Sequence, residues 1–383
     1  MNIKNVKNHI PKFTIHDSQS IQNKITNDLD LISDIILKQF SNVESLILAG
    51  GFGRGEGSVL VVDSYIQPIN DYDIYIIAKD NSQKIDLEEL RNLILKKIHI
   101  RQVDIEIIEK NKLKKLKSSM ANYDLKYASH IFYGNTKILE LIPSISADKL
   151  SLREGRNPLL LYLISIIQSY PGNHQSGITE NDKFWIYQQI SKSILGWSSA
   201  LLILNGKYHS SYIERAKIFQ ETFDNDLWCE LVNKATQFKI SPSLNIEEDL
   251  ISLWYLNKNE HLKILMLFLS KYYNKQYTDW ITLINDYRND YENIARKFFG
   301  WLTNKNRYKD RINLNVIEIL VLLSKSENCV DKELLKIAND ELNKFNKTNK
   351  NNYSWELARQ FCIDHDPNCK IWKERGNSVF YTS

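Results

Sequence analysis

Cysteines and long apolar runs are both scarce in this chain of 383 residues. Four cysteines in a chain of this length do not indicate a disulfide framework, so reduced thiols are expected at Cys229, Cys329, Cys362 and Cys369. The longest apolar run, residues 159–167, is far shorter than the roughly 20 residues that a membrane-spanning helix needs. The first eight residues lack the apolar core of a signal peptide. Together these absences predict a soluble, cytoplasmic protein without a membrane partner.

Two common phosphate-binding signatures are also missing. The chain contains no Gly-Lys-Ser or Gly-Lys-Thr, which excludes a P-loop, and its glycines lack the spacing of the dinucleotide fingerprint. We find no internal repeat. The content of 43% hydrophobic and 25% charged residues is typical of a globular protein, and the length predicts two or three domains.

The most informative segment that is present is a glycine-rich run. Five of the 13 glycines fall between residues 50 and 57, directly after an apolar run at residues 46–49 that predicts a strand. Glycines in such a turn let the backbone approach a polyphosphate closely and adopt conformations that a side chain forbids. If a helix begins in the turn, its first N–H groups add a site for an anion. The segment therefore predicts a phosphate-binding turn.

Two pairs of acids follow the glycine run. Asp71 and Asp73 precede a predicted strand, and their spacing of two residues points both side chains to one face. Asp104 and Glu106 alternate with apolar residues in a later predicted strand, so either can face the same site. Carboxylates are the ligands that Mg²⁺ prefers, and two such ions about 3.5–4 Å apart can serve an in-line displacement. The pattern predicts a site for a metal-bound nucleoside triphosphate, with Asp104 or Glu106 as the third acid.

The order of these motifs resembles the nucleotidyltransferase superfamily that includes DNA polymerase β, kanamycin nucleotidyltransferase and the minimal nucleotidyltransferases. In that family a strand leads to Gly-Gly or Gly-Ser and a short helix, the next strand carries Asp-x-Asp, and a later strand carries a third acid. Here Gly50 and Gly51 match the glycine pair. The resemblance covers residues 20–145, and the stretch 58–69 departs from it as an insertion that is predicted to form a loop or hairpin.

The resemblance implies a role for each motif. It implies two Mg²⁺ ions held by the catalytic acids Asp71, Asp73 and Asp104, with Asp104 favoured over Glu106 as the third acid. It also implies a nucleotide-binding set that consists of Gly50, Gly51, Arg54 and Glu56. The implied reaction moves an NMP from an NTP such as ATP to a hydroxyl acceptor and releases pyrophosphate.

The pattern of strands and helices divides the chain. Alternation over residues 1–145 predicts a small mixed domain with helices at 18–40 and 86–98. Beyond it, segments of helical periodicity predict a bundle over residues 146–305, on the acceptor side of the cleft, and a helical extension over residues 306–383. The expected fold class is therefore α+β, in which a mixed nucleotidyltransferase-type sheet with helices is followed by a mostly α-helical bundle.

The identity of the acceptor is open to several hypotheses. We expect a small hydroxyl-bearing molecule, because a large helical domain in the same chain favours a self-contained enzyme. The alternatives are a protein or tRNA acceptor in a toxin–antitoxin or defence setting, an enzyme that joins nucleotides for signalling, and a catalytically inactive nucleotide-binding module. The net charge of +4 permits a polyanionic substrate but does not indicate nucleic acid. Candidate substrate contacts in the helical region are Lys192, Trp197, Lys207, Tyr208, His209 and Arg215, and we select Lys192 and Tyr208 from them.

Overall fold

The computed structural model divides the chain into two compact units. It describes residues 12–62, 65–80, 82, 86–98, 100–171, 178–302, 307–325 and 331–346. Among the described residues, the first unit holds residues 12–151 together with Asn205–Ser243, and the second holds Leu152–Leu204 and residues 244–346. This grouping differs from the predicted boundaries, because a segment from the middle of the predicted bundle belongs to the unit that contains the sheet.

The first unit is built on a mixed sheet. The strands are β1 (Val43–Ala49), β2 (Val59–Val62), β3 (Tyr65–Pro68), β4 (Tyr72–Ala78), β5 (Val103–Glu109) and β6 (His130–Gly134). Four of them form one sheet in the order β5-β4-β1-β6, in which β1 pairs antiparallel with β4 and β6, and β4 pairs parallel with β5. The predicted insertion forms the separate antiparallel hairpin β2–β3.

Helices make up most of the remaining described chain. In chain order they are α1 (Gln19–Gln39), α2 (Gly50–Gly53), α3 (Leu87–Leu95), α4 (Lys110–Leu113), α5 (Met120–Tyr127), α6 (Leu152–Leu161), α7 (Leu163–Gln168), α8 (Glu180–Leu204), α9 (Tyr212–Thr222), α10 (Asp226–Ile240), α11 (Leu250–Tyr272), α12 (Trp280–Asn289), α13 (Tyr291–Leu302), α14 (Arg307–Leu323) and α15 (Lys332–Asn346). The first five helices, α9 and α10 belong to the first unit. Among the described helices, none combines the length and the apolar character that crossing a bilayer requires.

Side-chain alternation separates the two faces of the sheet. On β4, Tyr72, Ile74 and Ile76 are buried, and they join the buried residues of α1 and α3 in one apolar core. The side chains between them point to the opposite face, where Asp73 lies beside the exposed Asp104 of β5. The core thus fixes the two strands that carry the acids, and both acids lie on the face of the sheet opposite to it.

The described part of the second unit is built from helices. Residues 278–302 have apolar residues at helical spacing, but the structure divides them into α12 and α13 at Asp290. The Asp290 carboxylate accepts hydrogen bonds from the backbone N–H of Glu292, from Nη1 of the buried Arg156 and from the hydroxyl of Tyr273, each at 2.9 Å. These three bonds hold the acid at the start of a new helix. The predicted α+β fold class is confirmed.

Candidate active site

The glycine turn lies directly against the second aspartate of the Asp-x-Asp pair. β1 and β4 pair with Ala49 opposite Asp73, and Gly50 is the next residue, with a φ of 62°. A Cβ atom on Gly50 would lie 1.7 Å from Oδ2 of Asp73, so only glycine leaves room for this carboxylate. The left-handed backbone conformation also favours glycine. The turn therefore brings the peptide backbone next to Asp73.

Three carboxylates meet where β4 and β5 begin. Each of Asp71, Asp73 and Asp104 has one carboxylate oxygen that lies within 4.8 Å of those of the other two. Burial, followed by the charges of Asp71 and Asp104, raises the pKa of Asp73 to about 7, while Arg54 and Lys239 oppose the shift. The carboxylates therefore repel one another when all three are ionised, and a bound cation would relieve that repulsion.

Glu106, the alternative third acid, lies two residue pairs further along the same two strands. It is opposite Tyr75, to which it is hydrogen-bonded. Among the described residues, the group of acids close enough to share one ion contains Asp104 and not Glu106. Gln102 donates a hydrogen bond of 2.7 Å to Oδ1 of Asp104 and so orients it.

Arg54 is buried between two carboxylates without a close ion pair. Its side chain is 9% exposed; its Nε lies 3.5 Å from Oε2 of Glu56, and its Nη1 lies 3.5 Å from Oδ2 of Asp124. The buried Nε makes no hydrogen bond within the described part of the chain. A buried guanidinium with an unused donor can bind an anion. This placement is compatible with the predicted contact to the nucleotide.

In the structure the Glu56 carboxylate caps helix α9, and its predicted contact to the nucleotide stays a prediction. The side chain is buried and accepts hydrogen bonds from the Ser211 hydroxyl at 2.6 Å and from the backbone N–H groups of Tyr212 and Ile213 at 2.8 and 3.1 Å. An acid at a helix N-terminus satisfies backbone donors that have no partner inside the helix. Glu56 therefore joins the glycine turn to a helix that lies far away in the sequence.

Replacing Glu56 by alanine tests this capping role. We expect Glu56→Ala to lower the free energy of unfolding by about 2 kcal/mol, because three donors at the start of α9 lose a charged acceptor. Urea denaturation followed by circular dichroism measures the change. Glu214→Ala is the matched control, since Glu214 is an exposed acid in the same first turn, and we expect a loss below about 0.5 kcal/mol. Equal losses in the two variants would contradict the capping role.

Helices α9 and α10 contribute a cluster of cations around one aromatic ring. The guanidinium of Arg215 lies 4.0 Å from the centre of the Tyr212 ring, that of Arg54 lies 5.0 Å away, and the Lys239 ammonium lies 5.9 Å away. Burial opposes ionisation of Tyr212, but Lys239, Arg215 and Arg54 together lower the pKa of its hydroxyl below the ordinary value. The charges of Arg54 and Lys239 also oppose the rise in the pKa of Asp73.

Asp124 on α5 is a further acid next to this cluster. The Tyr208 hydroxyl donates to both of its carboxylate oxygens, at 3.0 and 3.1 Å. Burial raises the pKa of Asp124, while the charges of Arg54 and Arg215 oppose the increase. Asp124 therefore links Arg54, which ends the glycine turn, to Tyr208, which belongs to the segment 205–243.

The two predicted acceptor contacts lie in different units. Tyr208 is a buried part of the first unit, and its hydroxyl is used by Asp124. Lys192 lies on α8 in the second unit, and its role stays a prediction. The sequence does not indicate a role for three residues of the site, Asp124, Tyr212 and Lys239. Each resembles an ordinary polar residue of an amphipathic helix.

Comparisons with known proteins find a distant structural similarity. No protein-family profile matches the chain, and no curated protein matches it. Among solved structures, the chain is similar to spectinomycin adenyltransferase AAD(9) from Enterococcus faecialis, determined with ATP and spectinomycin. The TM-score is 0.36 at 15% sequence identity, and the match covers 62% of this chain and 98% of that chain. A similarity of this size carries no functional argument, so the interpretation of the site rests on its own geometry.

Proposed function

We propose that this protein is a nucleotidyltransferase that moves an NMP from an NTP to the hydroxyl group of a small molecule and releases pyrophosphate. The observation that carries the proposal is the contact between a glycine turn and three converging carboxylates, Asp71, Asp73 and Asp104. A glycine turn beside an acid triad provides a place for phosphate groups next to a place for divalent cations. The positive charges of Arg54 and Lys239, which lower the pKa of Asp73 against the effect of burial, support a polyanionic substrate.

The donor set fits magnesium. Three carboxylate oxygens within 4.8 Å of one another are hard ligands at a spacing that one ion can bridge. The raised pKa of Asp73 fits the same conclusion, because a cation would favour the ionised form that its neighbours disfavour. We propose that Asp71, Asp73 and Asp104 hold two Mg²⁺ ions, which would neutralise charge on the phosphates and on the leaving pyrophosphate.

The remaining steps are assigned to groups of the chain itself. Gly50 and Gly51 let the phosphates approach the backbone, and Arg54 and Lys239 bind the polyphosphate. Asp104, the exposed member of the triad, accepts the proton of the acceptor hydroxyl as that oxygen forms its bond to the α-phosphorus. The bond between the α-phosphorus and the bridging oxygen breaks, and pyrophosphate leaves. The protein contributes mainly alignment and charge stabilisation.

The test is transfer of a labelled nucleotide. The purified full chain is incubated with each of the four NTPs, labelled at the α-phosphate, in the presence of Mg²⁺. Parallel reactions contain cell metabolites, cell protein or tRNA, and the products are separated by size. Label in a small-molecule product together with released pyrophosphate supports the proposal, whereas label in protein or tRNA assigns a different acceptor. Absence of transfer from every NTP to every acceptor class would refute the proposal.

Lys239 allows a separate test of triphosphate binding. We expect Lys239→Gln to weaken binding of a non-hydrolysable triphosphate with Mg²⁺ about tenfold, because one charge-assisted contact to phosphate is lost. Isothermal titration calorimetry measures the dissociation constant. Lys234→Gln is the matched control on the same helix, because Lys234 is exposed and pairs with Glu230, and we expect wild-type affinity. Unchanged affinity in Lys239→Gln would remove Lys239 from the binding site.

A further inference from the structure

Asp124 is a half-buried acid in the middle of helix α5. The helix is already capped by Ser119, whose side chain accepts a hydrogen bond from the backbone N–H of Asn122. Asp124 lies one turn further on, where its side chain is 23% exposed. Burying a carboxylate is unfavourable, and an apolar residue at such a position often gives equal or greater stability. Stability of α5 therefore does not explain this acid.

The Asp124 carboxylate contacts two side chains, Arg54 and Tyr208. One oxygen lies 3.5 Å from Nη1 of Arg54, and the Tyr208 hydroxyl donates to both oxygens. The ring of Tyr208 is in turn 5.2 Å from the guanidinium of Arg215 and packs edge-to-face on Tyr123. The hydrogen bonds from Tyr208 thus fix the position of the Asp124 carboxylate.

Arg54 in turn is held loosely between two acids. Both Glu56 and Asp124 lie 3.5 Å from its guanidinium, and its Nε donates no hydrogen bond within the described part of the chain. Two anions on different parts of one guanidinium restrict its direction without using all of its donors. The unused donor leaves Arg54 able to bind a further anion, and Arg54 directly follows helix α2, whose Gly50 lies against Asp73 of the acid triad.

We propose that Asp124 is a positioning residue that aligns the Arg54 guanidinium with the polyphosphate of the bound triphosphate. This inference rests on the proposed nucleotidyl transfer. Asp124 touches neither the nucleotide nor the metal ligands, and it acts only through Arg54. Because alignment matters most in the transition state, loss of Asp124 reduces the rate of transfer more than the affinity for the triphosphate. Removing the negative charge of Asp124 also leaves the charge of Arg54 less offset by a neighbouring anion, which works against any loss of affinity.

A double-mutant cycle between Asp124 and Arg54 tests this proposal. Asp124→Asn keeps the shape of the side chain and an acceptor for Tyr208 but removes the charge. We expect single-turnover transfer to slow about tenfold, while the dissociation constant of a non-hydrolysable triphosphate with Mg²⁺ changes less than about threefold. In an Arg54→Gln background, the same Asp124→Asn change should slow transfer less than about twofold, because the group that it positions is absent.

The controls distinguish positioning from structural damage. Asp286→Asn is the matched control, since Asp286 also accepts from a tyrosine hydroxyl and a cation, Tyr277 and Lys275, but lies on α12 of the second unit. We expect it to transfer at the wild-type rate. Additive effects of Asp124→Asn and Arg54→Gln would overturn the positioning role, as would a loss of affinity equal to the loss of rate. Absence of transfer by the wild-type protein would overturn the proposed function and this inference with it, whereas failure of the cycle alone leaves the proposed function intact.

Discussion

Asp73→Asn should abolish nucleotidyl transfer while leaving the metal-free protein at least as stable as the wild type. Transfer should fall roughly a thousandfold or more, because the residue shared by the glycine turn and the acid triad no longer binds a cation strongly. Stability should not fall, because the substitution removes a partly buried carboxylate whose ionisation is opposed by burial and by Asp71 and Asp104. Labelled-nucleotide transfer and thermal melting in chelator-treated buffer measure the two effects.

Magnesium provides an internal check on this expectation. A ligand that binds only the folded state raises the melting temperature, so Mg²⁺ should raise that of the wild type and have little effect on Asp73→Asn. Asp80→Asn is the matched control, because Asp80 is an exposed acid two residues beyond the end of β4. We expect it to retain both transfer and the response to Mg²⁺. Transfer at the wild-type rate by Asp73→Asn would exclude the carboxylate cluster as the catalytic site.

Gly50→Ala should have the second largest effect. The added methyl group would lie 1.7 Å from Oδ2 of Asp73, so the carboxylate or the turn must move. A displacement of about 1 Å at a catalytic group can slow a reaction about a hundredfold, and we expect at least this loss of transfer. We also expect the effect of Mg²⁺ on the melting temperature to shrink, because one ligand is displaced.

Gly206→Ala separates displacement of the carboxylate from backbone strain. Gly206 has a φ of 66°, close to the 62° of Gly50, but its added Cβ would meet only Asp148, at 3.3 Å. Both substitutions place alanine in the left-handed region, at a cost of about 1–2 kcal/mol. Gly206→Ala should therefore lose stability but keep transfer. If both variants lose transfer to the same extent, strain in the fold and not contact with Asp73 is the cause.

The polar face of the sheet could be predicted from sequence because its determinants are local. Asp71 and Asp73 are two residues apart at the start of one strand, and the glycines follow directly after another strand. Period-two alternation and turn chemistry therefore place them. The parallel pairing that brings Asp104 opposite Asp73 is not local, and the choice between Asp104 and Glu106 depended on family resemblance. A shift of β5 by two residues would have exchanged the two acids.

The cation cluster and the cap of α9 could not be predicted, because they depend on contacts between distant segments. The sequence shows Glu56 beside a glycine turn, and nothing near it indicates that its carboxylate meets the amides of Tyr212 and Ile213. Lys239 in the last turn of α10 resembles any lysine that favours the end of a helix dipole. Only the three-dimensional arrangement distinguishes such a residue from its solvated neighbours.

The return of residues 205–243 to the sheet has a consequence for how the protein folds. During synthesis, the strands with the three aspartates emerge first, and all of Leu152–Leu204 follows before Ser211 and Tyr212 are available. Until then the Glu56 carboxylate lacks its donors and Arg54 lacks the Tyr212 ring. Contacts between such distant segments form slowly, because a long loop must close first. We therefore expect a refolding phase in which the sheet is formed but the triphosphate is not yet bound, and a fragment that ends at Ser151 should stop at that stage.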